Sequence, residues 1–124
     1  MKKSTIPVRL SINGQAGEGS ALEILATKIL GGHDAFSEPG LKVFQLTNGS
    51  LVECYGAGSN YHRNVFEKGN LTVSFRVPDI RTATNELCSA GAELVNDIIF
   101  VSNSYSYCHL KFNDNLVLGL YQEN

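Results

Sequence analysis

Few side chains in this sequence could do chemistry, and they are scattered. Glu53 and His109 are a carboxylate and an imidazole that could serve as acid and base. Cys108 adjoins His109, but neighbours in a strand point to opposite faces, so the two do not make a nucleophile and its base. Cys54, Cys88 and Cys108 are odd in number and lack CxxC spacing. They read as buried free thiols in a reducing cytoplasm. The run Gly14-Gln15-Ala16-Gly17-Glu18-Gly19 lacks the Lys-Ser/Thr of a phosphate loop and reads as a strand-to-helix connection. His33-Asp34 reads as surface loop, and His62 falls in a glycine-containing linker that should run over the surface.

Positioning these groups takes one domain, which suits a chain of 124 residues. With 10 basic and 12 acidic side chains there is no electrostatic case for nucleic acid. No apolar run is long enough to span a membrane. Met1-Lys2-Lys3-Ser4 is basic but is not followed by the apolar segment of a signal peptide, so the expected location is the cytoplasm.

The second half reads strand, helix, then three strands. Leu71–Val77 alternates with period two, and Pro78-Asp79 stops it. Asp79 can cap a helix with Ile80, Ala83, Leu87 and Ala90 on one face, ended by Gly91. Ala92–Val101, Tyr105–Phe112 and Leu116–Gln122 read as strands, with a turn at Asn113-Asp114-Asn115. The first half repeats the plan. Val8–Asn13 alternates, and Ser20-Ala21-Leu22-Glu23 is a capping box for a helix with Ala21, Ile24, Leu25 and Ile29 at helical spacing. Gly31-Gly32 ends that helix, and Ser37-Glu38-Pro39-Gly40 is a turn. Leu41–Thr47, Asn48-Gly49 and Ser50–Tyr55 make a hairpin. The expectation is an α+β domain of two tandem βαβββ modules, at about 5–57 and 70–122, joined by a linker at about 58–69.

The segments TVSFRVPDIRTATNELCSAGAELV and HLKFNDNLVLGLYQ resemble the second half of a vicinal oxygen chelate protein, of the glyoxalase/bleomycin-resistance/dioxygenase superfamily. That resemblance implies a curved, partly open, barrel-like mixed sheet with helices outside and a substrate on the concave face. It also implies a homodimer. Metal-binding relatives draw ligands from the first strand of each module and a Glu from the last. Those positions here are Pro7 and Thr72, and Glu53 with Leu118 or Gly119. Of these, Glu53 alone suits a metal, so the resemblance points to the metal-free branch and to no cofactor.

Alternation then assigns faces. Val8, Leu10, Ile12, Val73, Phe75 and Val77 should lie under helices, leaving Arg9, Ser11, Thr72, Ser74 and Arg76 facing the concavity. A two-residue turn at Asn48-Gly49 would set Phe44 opposite Glu53 and Lys42 opposite Tyr55. One at Asn113-Asp114 would set His109 opposite Leu118 and Tyr107 opposite Leu120. The expected cavity holds Arg9, Ser11, Phe44, Glu53, Tyr55, Ser74, Arg76, Tyr107 and His109, with Leu116, Leu118 and Leu120; a one-residue slip would invert the hairpin assignments. The expected function is binding of a small organic molecule there without metal, in a resistance or sequestration role. The alternatives are a glyoxalase-type lyase or isomerase using Glu53 and His109, and a partner-binding protein with a filled core.

Overall fold

The computed structural model describes residues 6–56, 63–66 and 69–124. Two helices lie against a mixed, unclosed, curved sheet, the α+β architecture expected. Strand β1 (Val8–Asn13) leads into α1 (Ala21–Ile24), which continues as a π-helical turn over Leu25–Ile29. Strands β2 (His33–Glu38), β3 (Leu41–Gln45) and β4 (Leu51–Tyr55) complete the first βαβββ unit. A 3-10 turn, Arg63–Phe66, precedes β5 (Leu71–Arg76) and α2 (Ile80–Ser89). The second unit ends in β6 (Glu93–Leu94), β7 (Ile99–Ser102), β8 (Tyr105–Asn113) and β9 (Leu116–Glu123). The strand expected over Ala92–Val101 is therefore broken in two, and both pieces pair with β8.

The sheet order is β2-β3-β4-β1-β5-β9-β8-β6. The modules meet where β1 runs antiparallel to β5. Each first strand also runs parallel to the last strand of its own module, β1 with β4 and β5 with β9. Both helices begin on side-chain caps. Ser20 Oγ accepts from the Glu23 N–H at 3.2 Å, and Glu23 accepts from the Gly19 N–H at 2.9 Å. Asp79 Oδ1 accepts from the N–H groups of Arg81 and Thr82.

Each helix covers its own core. Ala16, Ala26, Phe44, Val52 and Cys54 pack together with Leu10, Ile12, Leu22 and Leu46 in the first unit. Ile80, Cys108, Leu110 and Leu120 pack with Val77, Ala83 and Leu87 in the second. The first helix does not bury the expected stripe: Leu22 and Ala26 face the core, while Ile24, Leu25 and Ile29 are exposed, Ile29 at 69%. Leu22 and Ala26 share helical spacing just as the expected stripe does, so periodicity alone could not choose between them. On β5, Phe75 faces the convex side as alternation requires, yet it is 38% exposed because the helices leave the seam between modules uncovered.

Both hairpins differ from expectation by one residue. In the first, the Leu46 N–H donates to Ser50 O, the Gly49 N–H donates back to Leu46 O, and Asn48 Oδ1 accepts from the Ser50 N–H. Thr47-Asn48-Gly49 is thus a three-residue loop whose left-handed position, Gly49 at φ +87°, suits glycine. Phe44 then pairs with Val52, and Val43 faces Glu53. In the second, Asn113 pairs with Leu116 and a bulge between Lys111 and Asn113 shifts everything beyond it. Tyr107 meets Tyr121, and His109 meets Gly119. His33-Asp34, expected in a loop, opens the edge strand β2, whose residues are all exposed.

Candidate functional site

The concave face forms a cup of about 270 Å³ lined by Arg9, Ser11, Glu53, Tyr55, Val65, Ser74, Tyr105, Tyr107, His109 and Tyr121. The first three come from the parallel pair β1–β4, where Ser11 stands opposite Glu53. Ser74 comes from β5, opposite Arg9. Tyr105, Tyr107 and His109 are alternate residues of β8, and Tyr121 stands opposite Tyr107 on β9.

At the centre is a charge pair. Arg9 Nε lies 3.0 Å from Glu53 Oε2, with side chains 19% and 10% exposed. The contact is an ion pair by distance, but the Nε–H is not aligned for a hydrogen bond. The other carboxylate oxygen, Oε1, accepts from the Ser11 hydroxyl at 3.0 Å and from the Tyr55 hydroxyl at 3.3 Å. Both oxygens of Glu53 are thus engaged inside the protein. The guanidinium carbon of Arg9 lies 4.8 Å from the centre of the Tyr105 ring and 5.2 Å from that of Tyr121, a double cation–π contact.

Around this pair the aromatic rings brace one another. Tyr105 lies 6.0 Å from Tyr107 and 6.3 Å from Tyr121. Tyr107 meets the His109 ring edge-on at 5.9 Å, and Tyr55 meets Phe66 edge-on at 5.7 Å. Burial raises the Tyr55 phenol far above its ordinary 10, the Glu53 charge adds to the rise, and Arg9 opposes it. Tyr107 is also raised by burial, against the pull of Arg9, and Tyr121 by burial and then Glu123. The cup therefore presents protonated phenols at neutral pH.

Seven of the nine expected site residues lie together here: Arg9, Ser11, Glu53, Tyr55, Ser74, Tyr107 and His109. Phe44 does not. The one-residue change of register turns it under α1, where it is fully buried. Arg76 is exposed, at the end of β5 beside Tyr121, and does not line the cup. Leu118 and Leu120 pair with Leu110 and Cys108 on the helix side, and Leu116 is exposed at the hairpin. In exchange the slip brings in Tyr121. Tyr105 also lines the cup; two residues before Tyr107, it shares that residue's face by alternation. Val65 reaches the cup from the segment between modules; Tyr61 and His62 lie outside the described residues. Of the cysteines, Cys54 and Cys108 are buried as expected, but Cys88 is exposed.

The positions that hold metal in metal-binding relatives do not suit a divalent ion here. Pro7 offers no side-chain donor, the Thr72 hydroxyl donates to the Val65 carbonyl, and both Glu53 oxygens are engaged. At Gly119 a side chain would collide with Ser74 Oγ and press on His109, so that space is already filled. Among the described residues, no three His, Cys, Asp or Glu side chains come together as a ligand set.

A curved mixed sheet built from two βαβββ units and cupping a polar, aromatic site defines the vicinal oxygen chelate fold, that of the glyoxalase/bleomycin-resistance/dioxygenase superfamily. Solved structures of that fold match this one. A superfamily member from Vibrio splendidus 12B01 superposes with a TM-score of 0.59 at 14% identity, over 96% of this chain and 100% of that one. Methylmalonyl-CoA epimerase from Mycobacterium tuberculosis gives the same score and identity, over 96% of this chain and 87% of that one. A glyoxalase family protein from Bacillus cereus aligns at 26% identity, but over 67% of this chain and 60% of that one, with a TM-score of 0.43, too low to bear on the fold. No family model matches the sequence, and no curated protein does. These likenesses fix the fold and leave the activity open.

Proposed function

We propose that this protein binds a small organic molecule in the concave cup without a metal ion, in a sequestration or resistance role. The observation that carries this reading is the prebuilt cup itself. Four tyrosines surround an Arg9–Glu53 pair held in place by the protein's own groups, with about 270 Å³ left open. Mostly aromatic walls with a few fixed polar groups are the make-up of small-molecule sites. Folding alone gives no reason to gather a charge pair and four phenols around open space. We place the protein in the cytoplasm; no helix among the described residues is long and apolar enough to cross a membrane. We also propose a homodimer, since Ile24, Leu25, Ile29 and Leu30 expose apolar surface on one helix.

A thermal-shift screen with small organic molecules and divalent metals tests the reading. A ligand that binds only the folded state raises the midpoint by mass action. An organic hit with no metal response supports the metal-free binding protein. A second reading, a lyase or isomerase, rests on Glu53 and His109 lining the same cup. A metal response, with turnover lost in both the Glu53→Gln and His109→Ala variants, would favour it. Silence throughout would favour a partner-binding protein.

A further inference from the structure

Resting on the binding reading above, we infer that the ligand is a small planar carboxylate, one ring in size, docked on the terminal nitrogens of Arg9. The two charged groups of the cup differ in what they have left to offer. Glu53 has spent both oxygens, on Arg9 at one and on Ser11 and Tyr55 at the other. A cationic ligand would have to displace one of those partners. Arg9 has turned Nε to Glu53 and packed its guanidinium against the neighbouring rings of Tyr105 and Tyr121. Its two terminal nitrogens take part in no hydrogen bond among the described residues, and the side chain is still 19% exposed to the cup. A guanidinium fixed on one edge and braced by two rings presents its remaining edge as a rigid fork, which matches the two oxygens of a carboxylate. Glu53 thus orients Arg9 while Arg9 receives the ligand.

Shape argues for one ring. The cup's volume lies just under the roughly 300–1,000 Å³ of sites for drug-sized ligands. Its lining includes the rings of Tyr55, Tyr107 and His109 and the short side chains of Ser11 and Ser74. Flat walls favour a flat guest through offset or edge-on stacking. Burial keeps the Tyr55 and Tyr107 phenols protonated, so neither repels an anion; Tyr55 has committed its proton to Glu53, and Tyr107 is the one of the two that donates to a ligand.

The test compares benzoate, benzamide and benzylamine by calorimetry at neutral pH, on the wild type and on Arg9→Lys. These probes share a ring and differ in charge. Lysine keeps a cation beside Glu53 but removes the planar fork, and a denaturant midpoint near that of the wild type will show that the variant folds. The inference expects benzoate to bind, benzamide to bind ten- to a hundredfold more weakly, and Arg9→Lys to lose a similar factor for benzoate alone, on the order of a charge-assisted hydrogen bond. Benzamide or benzylamine binding as tightly as benzoate would overturn the anion assignment and leave the binding reading standing. If none of the three binds, the ligand class is wrong; the mixed screen described above then decides whether the cup binds anything at all.

Discussion

Arg9 is a cation held by the protein's own phenols and carboxylate, and its pairing with Glu53 can be measured. Glu53→Gln removes the charge that Arg9 faces in a mostly buried setting, and the expected cost is about 3 kcal/mol in urea unfolding. The double variant Arg9→Met, Glu53→Leu should recover most of that stability, because it leaves no charge stranded. Tyr55 gives a pH signature. Its phenol is raised in the folded state and ionises near 10 when unfolded, so the unfolded chain releases a proton that the folded chain keeps. Stability is unaffected below pH 10 and falls as the pH rises above it; Tyr55→Phe should flatten that fall, read from urea midpoints across the alkaline range. At this scale the sequence was informative where strands alternate. Arg9, Ser11, Ser74 and Glu53 could be placed by counting in twos, whereas Phe44 and Tyr121 depended on the lengths of two turns.

Those turns belong to the scale of elements. Asn-Gly signals a tight two-residue turn, yet Asn48 spends its side chain on the Ser50 N–H and the loop takes three residues. The β8–β9 hairpin slips by way of a bulge that no residue type announced. The edge strand β2 went unread because its His-Asp-Ala-Phe-Ser-Glu sequence has no buried face to impose alternation. Helix caps, by contrast, carry their signal in one side chain. Asp79→Ala should cost about 1 kcal/mol, since two N–H groups at the start of α2 lose their acceptor. Gly119→Ala should destabilise by about 1–3 kcal/mol through collision with Ser74, and adding Ser74→Gly should return part of it. Both are read from denaturant midpoints.

For the whole molecule, the two-module plan was legible because each half repeats strand, helix and hairpin signals in the same order. The uncovered seam was not, because alternation gives the face of a residue but not what lies above that face. Leu71 is 57% exposed there, at the other end of β5 on the face that carries Phe75, the side of the sheet that bears the first helix. A homodimer covering that surface should show a mass that falls toward that of the 13.5 kDa chain on dilution, and a charged substitution, Ile29→Glu, should favour the monomer. Light scattering over a range of concentrations checks both.

Binding in the cup is the central claim made for this molecule. The most direct measurement is NMR of protein labelled on its tyrosine rings, titrated with a library of small organic fragments. Tyr55, Tyr105, Tyr107 and Tyr121 should respond together to the same compounds, with saturation. Fragments that saturate while leaving these four rings unmoved, or a library that moves none of them, would contradict it.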